Sequence, residues 1–253
     1  MELHAGHHMV VQLLGLNVNL DTLMMTWLVA ALVIIVTVAA TRGRSLVPSG
    51  LQNAMEIVIE ALLDQFKETL GPKYGQVVSV LLTMFLFILF ANELGMLPNP
   101  HVLASPTNDL NTTVALALVS SFMVHFMALK NQGFKKHFKH FFEPFAPFVV
   151  INLMEEITKP LTLAFRLFGN ILAGEILLEV LYFLVPVAIP MIWILFSFVI
   201  GLIQAFIFTI LTTSYLAPSF TEYYKKLSYR SHLGGNVLWK KRSYWHYLHL
   251  VHA

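Results

Sequence analysis

Apolar and polar positions alternate in long blocks along this chain, and the blocks are too long for a soluble core. Leu23 to Ala40 is eighteen residues without a charge, enough to cross the ~30 Å hydrocarbon layer of a bilayer as a helix. Tyr74 to Asn92 and Leu110 to Leu129 repeat the pattern. From Val149 to Leu184 a longer apolar stretch is interrupted by Glu155, Glu156, Lys159, Arg166, Glu175 and Glu179. From Val180 to Thr221 there is no charge at all. Those 42 residues would measure roughly 63 Å as one helix, twice the bilayer, so the chain has to turn. Pro186 and Pro190 mark the expected turn, leaving a helix over about 149–184 and another over about 190–217. Both exceed the ~20 residues a crossing needs, which predicts tilt or interfacial ends.

One block has a different rhythm. Between Pro48 and Leu70 the apolar residues Leu51, Met55, Val58, Ile59, Leu62, Leu63 and Phe66 fall on one helical face. Gln52, Glu56, Glu60, Asp64, Lys67 and Glu68 surround it. This spacing predicts an amphipathic helix on the membrane surface, closed by Gly71-Pro72.

The fold class expected is therefore all-α: a polytopic membrane protein with five transmembrane helices, an amphipathic cytoplasmic-surface helix and a long tilted C-terminal helical hairpin. Composition agrees. Of 253 residues, 57% are hydrophobic and only 12% charged, with mean hydropathy +0.70, against about 25% charged in soluble domains. Basic residues set the orientation. Arg42 and Arg44, then Lys130, Lys135, Lys136 and Lys139, then Lys225, Lys226 and Arg230 all fall on one side if the N-terminus is outside and the C-terminus cytoplasmic. A net charge of +2 gives no reason to expect nucleic acid as a partner. The chain has no cysteine and so no disulfide framework or thiolate site. Residues 1–22 lack a basic n-region and do not read as a cleaved leader. No internal repeat suggests an inverted-repeat transporter.

The polar residues inside the apolar blocks are the candidate chemistry. A charge at the centre of a span costs at least ~2.5–3.5 kcal/mol on insertion scales and by default marks function; an arginine cannot escape the cost by losing its proton. On an ideal helix Thr162 and Asn170 lie one turn either side of Arg166. Glu155 lies about 20° off the same face and roughly 16 Å toward the cytoplasm. Glu175 lies on the opposite face, roughly 13 Å toward the outside, with Glu179 one turn further. Carboxylates thus flank a cation on both sides, the layout of two aqueous entrances divided by a charge. On the last span Gln204 can hydrogen-bond across to its neighbour, and Ser197, Thr209, Thr212 and Thr213 add polar atoms. His125 reads as a polar packing residue near the inner end of the third span. His4, His7 and His8, and His246, His249 and His252, recur closely but lack partner ligands at metal spacing, so no metal and no cofactor is expected. No phosphate-binding loop or nucleophile–base motif occurs, and no catalytic site of the chain's own is expected.

These residues carry a resemblance. Leu163-Ala-Phe-Arg166-Leu-Phe-Gly-Asn170-Ile-Leu-Ala-Gly-Glu175, with Gln204-Ala-Phe-Ile-Phe-Thr-Ile-Leu-Thr, Gln52-Asn-Ala-Met-Glu56 and Ser105-Pro-Thr-Asn-Asp109, resembles subunit a of bacterial F-type ATP synthases, over about residues 10–225. The resemblance implies a stator subunit of the membrane sector in a bacterial plasma membrane. Its implied partners are the c-ring, peripheral-stalk b subunits, membrane lipid and translocated H+ or Na+. It implies that Arg166 faces the c-ring carboxylate, with Asn170 and Gln204 as polar neighbours. It places Glu175, Glu179, Asp109, Gln204 and Ser197 along an outer half-channel, and Glu155, Glu156, Thr158 and Thr162 along an inner one. Some relatives carry His or Glu where this chain has Ser197. Residues 1–227 correspond to the family's membrane domain; residues 228–253 form a C-terminal extension. The competing expectations are a secondary transporter or channel using Arg166 to bind an anion and a purely structural membrane scaffold.

Overall fold

A computed structural model describes residues 10–13, 16–42, 48–95, 105–134, 137, 142, 146–185 and 188–233. The terminal histidines, Arg44, three lysines of the 130–139 cluster and residues 234–253 of the C-terminal extension lie outside the described residues.

A two-stranded antiparallel ribbon, β1 (Val10–Leu13) and β2 (Leu16–Asn19), pairs Val10 with Asn19 and Leu13 with Leu16. The apolar block pattern did not announce it. β2 runs straight into α1 (Leu20–Arg42). Next come α2 (Gly50–Leu70), α3 (Val78–Gly95), α4 (Leu110–Gln132), α5 (Val149–Leu184) and α6 (Ala188–Leu233). Apart from α2, each contains a stretch long and apolar enough to cross a membrane, five in all among the described residues. The fold is all-α, and the chain is a multi-pass membrane protein.

The ends follow local chemistry. α2 stops at Gly71, whose N–H still donates to the Lys67 carbonyl and whose φ of +70° then turns the chain out of the helix, a conformation other residues resist; Pro72 cannot continue the helix. Asp109 caps α4, its Oδ1 accepting from the Asn111 N–H at 2.8 Å. The final hairpin turns between Leu184 and Ala188. Pro190 therefore sits in the first turn of α6, where its missing N–H costs nothing, and not in the turn itself. Pro160 lies inside α5, which continues through it. α6 runs unbroken across residue 227 to Leu233.

Packing orders the spans. α1 packs on α3, α3 on α6, α6 on α4 and α5, and α4 on α5. α1 and α5 are thus the flanking helices: 17% of the apolar window of each is buried, against 33–39% for the other three. The core joins Leu81, Phe85 and Ile88 of α3 to Phe208, Leu216 and Phe220 of α6. Leu62, Phe66 and Leu70 of α2 are fully buried in the same cluster. The predicted amphipathic face is real: Met55, Val58 and Leu63 pack against the same core while partly buried, and only Leu51, at its start, is exposed.

Candidate functional site

α5 buries one stripe, Leu163, Ala164, Leu167, Ile171 and Gly174, at the i, i+4 spacing of a single helical face. Arg166 falls on the other side and is exposed. Among the described residues it makes no hydrogen bond or ion pair within the chain. Glu155, Thr158 and Thr162 are exposed with it, and Asn170 is half-buried. The hydroxyls of Thr158 and Thr162 donate to the carbonyls of Met154 and Thr158, both at 2.7 Å, leaving their oxygens able to accept. The outward face of α5 is therefore apolar, with Val150, Leu161 and Phe165 exposed, and crossed by one polar line with a guanidinium at its centre.

Glu175 turns the other way, as its place half a helical circuit from Arg166 requires. Its Oε2 accepts from Asn108 Nδ2 at 2.5 Å. Asn108 belongs to a short 3-10 turn, Pro106–Asn108, and the whole 105–109 segment is buried. A hydrogen-bond chain pins this segment. Ser105 Oγ donates to the Ala91 carbonyl at 2.9 Å, and Thr107 Oγ1 donates to Asn92 Oδ1 at 2.8 Å. Asn92 Nδ2 in turn donates to the Gly201 carbonyl of α6 at 3.3 Å. Asp109, 5% exposed, also accepts from Asn111 Nδ2 at 3.0 Å and from Asn19 Nδ2 at 2.6 Å, which ties the end of β2 to this segment. Glu179 is half-buried one turn past Glu175. Ser197 and Gln204 are buried on α6, and their Oγ and Nε2 atoms have no partner among the described residues. The Trp193 indole N–H donates to the Gly174 carbonyl at 3.2 Å, tying α6 to α5 beside Glu175.

A second polar cluster lies at the opposite end of α5. Lys159 Nζ sits 3.1 Å from Glu155 and 3.0 Å from Glu156. Glu156 also lies 3.4 Å from His125 Nε2 of α4, and the Lys159 ammonium lies 5.8 Å from the Tyr215 ring centroid of α6. A small cleft, with room for little more than a water molecule, is lined by Ser120, Ser121, Glu156, Lys159, Pro160 and Tyr215 among others, between α4, α5 and α6. Glu155 and Glu156 are thus separated: Glu155 shares the exposed side with Arg166, and Glu156 faces α4. Sequence spacing could not reveal the His125–Glu156 contact, which joins two helices. Asn108 was within reach, because Ser105-Pro-Thr-Asn-Asp109 stood out, but only Asp109 suggested chemistry. Among the described residues no group of side chains has the makings of a metal site.

The arrangement defines a class: a multi-pass helical membrane protein with carboxylates on both sides of an outward-facing arginine. Comparison with known proteins supplies the family. The family model described as ATP synthase A chain matches residues 23–217. The chain is 42% identical over 215 residues to an ATP synthase subunit a from Desulforamulus reducens, covering 81% of each chain. It is 41% identical over 226 residues to an ATP synthase subunit a from Gloeobacter violaceus, covering 86% of this chain and 91% of that one. The chain belongs to the ATP synthase subunit a family, the membrane-sector stator of the enzyme, whose work is ion transport in ATP synthesis.

Proposed function

We propose that this chain provides two offset half-channels separated by Arg166, which load and unload a carboxylate on each subunit of a rotating c-ring. The observation that carries the reading is the exposed Arg166, unpaired among the described residues, on the least buried side of a flanking helix. A guanidinium facing hydrocarbon would be costly. Its counter-ion is brought by another subunit, one carboxylate at a time.

The chemistry follows from the charge. A ring carboxylate arriving opposite Arg166 meets a cation in low dielectric, which favours its ionised form and release of its ion. The ion leaves through the inner half-channel, bordered by Glu155, Glu156, Thr158 and Thr162. Reloading comes from the outer one, bordered by Asp109, Glu175, Glu179, Ser197 and Gln204, with Asn170 beside the arginine. Arg166 repels a cation that would pass directly between the two. Each elementary charge crossing 100 mV releases about 2.3 kcal/mol, which drives rotation. The translocated ion is H+ or Na+. The membrane is a bacterial plasma membrane, with the N-terminus outside and the C-terminus cytoplasmic, consistent with Arg42 and Lys130 in the last turns of α1 and α4. Peripheral-stalk b subunits complete the stator.

Purification of the chain from mild detergent tests this. It should come with a ring of small hairpin subunits, each bearing a carboxylate. A solitary protein that carries a substrate by itself would overturn the reading.

A further inference from the structure

α3 ends in a carboxyl that the motif above does not use. Glu93 is half-buried, and its Oε2 is closed off from the surface with no hydrogen-bond partner among the described residues. Its Oε1 points at Gly201 of α6: a Cβ built there would lie 2.9 Å from that oxygen and 3.3 Å from Asn92 Cβ. The carboxyl occupies the space that a glycine leaves. Ser197 and Gln204 stand about one turn to either side of Gly201 on the same face of α6. They are 3% and 7% exposed, and Ser197 Oγ and Gln204 Nε2 are also without partners among the described residues. Three polar groups without a partner among the described residues therefore lie within about one turn of Gly201 along α6, where a lone one would already be costly.

The depth matters as much as the clustering. Trp193 touches Gly174, and Lys159 lies over Tyr215, which fixes the register of α5 against α6. Counted from both contacts, Gly201 lies between level with Arg166 and about 10 Å to its Glu175 side. Glu175 itself is roughly 13 Å from Arg166 along α5. Glu93, in the last turn of α3, thus falls between them along the axis of α6.

We infer that Glu93 is a further carboxyl of the outer half-channel, relaying the translocated proton along the Ser197–Gly201–Gln204 face of α6 between Glu175 and the ring. The inference rests on the two-half-channel reading. In the relay an O–H bond forms on a Glu93 oxygen as the proton arrives and breaks as it leaves. The carboxylate is regenerated in each cycle, and no other bond changes.

The test uses the whole ATP synthase in inverted vesicles in Na+-free buffer, with Arg166→Ala run in parallel. Glu93→Gln, which cannot carry a proton, should lower both ATP-driven acidification and the passive proton conductance of F1-stripped vesicles at least tenfold, with the ring still copurifying. Glu93→Asp should retain most of the activity, and Glu93→Gln with Ser197→Glu should recover part of it by returning a carboxyl to the same stripe. Parental conductance in assembled Glu93→Gln overturns the inference. If Arg166→Ala pumps normally, the broader reading fails instead. Should Glu93→Gln not assemble, labelling replaces transport. Glu93→Cys, the only cysteine in this chain, should react with a small cationic thiosulfonate in the intact enzyme, while Ile88→Cys, buried in the core, should not. Equal labelling of both, or of neither, overturns the inference.

Discussion

Asn108 holds Glu175 across 67 residues of sequence, donating from its side-chain amide to the carboxylate at 2.5 Å. One end of the contact lies in a buried turn between α3 and α4, the other on the inward face of α5. The acid is thereby aimed into the bundle, away from the side that carries Arg166. Asn108→Leu removes the donor at similar bulk and leaves a carboxylate without it, a loss of about 1–3 kcal/mol. The enzyme should assemble, and ATP-driven pumping should fall severalfold. Unchanged pumping would show that Glu175 does not depend on this aim.

The turn itself depends on Ser105 and Thr107. Thr107→Val keeps the shape but removes the hydrogen bond to Asn92, leaving that buried amide short of a donor. The complex should lose about 1–3 kcal/mol of stability, read as a lower temperature for release of this chain from detergent-solubilised enzyme.

α2 is anchored most deeply by its second half. Phe66 is fully buried, and Phe66→Ala should cost about 3–5 kcal/mol. Leu51→Ala, at an exposed position, should leave stability in detergent unchanged. Protease sensitivity of the 50–70 segment separates the two: it should rise sharply in the first variant and stay at the parental level in the second.

At the other end of α5, Lys159 neutralises both Glu155 and Glu156. Lys159→Met keeps the stem and removes the charge. Because Glu155 is largely exposed and Glu156 only half-buried, the loss of stability should be modest, about 1 kcal/mol. The effect on ion exit should exceed it, because two carboxylates then hold a cation passing between them. Faster exit in this variant would contradict the assignment of this cluster to the inner half-channel.

The five spans, the amphipathic helix and the C-terminal hairpin were legible because lipid imposes one requirement, an uncharged run of sufficient length, and the chain meets it block by block. The opposed directions of Arg166 and Glu175 were legible too, because helical geometry alone fixes them. What sequence could not give was anything set by contact between distant segments. The β-ribbon tied to Asp109 is one case: its strands are short, and their partner lies beyond α3. The tie between His125 and Glu156 is another. Glu93 is the clearest. Read along the chain, Glu93 is simply the residue that ends the uncharged run from Tyr74 to Asn92, and only Gly201, more than a hundred residues later, gives the carboxyl its place. Pro190 misled in a smaller way, because a proline near a turn also suits the first turn of a helix.

The account stands or falls on Arg166, and its most direct measurement is paired: ATP-driven proton pumping and passive proton conductance, in vesicles carrying Arg166→Ala and in vesicles carrying Arg166→Lys. Arg166→Ala should abolish pumping and synthesis while a passive leak persists, because the ring is no longer discharged opposite a cation and the barrier between the half-channels is gone. Arg166→Lys should also fail to pump, since an amine can shed its proton in apolar surroundings. ATP-driven pumping at the parental rate by Arg166→Ala would contradict the account.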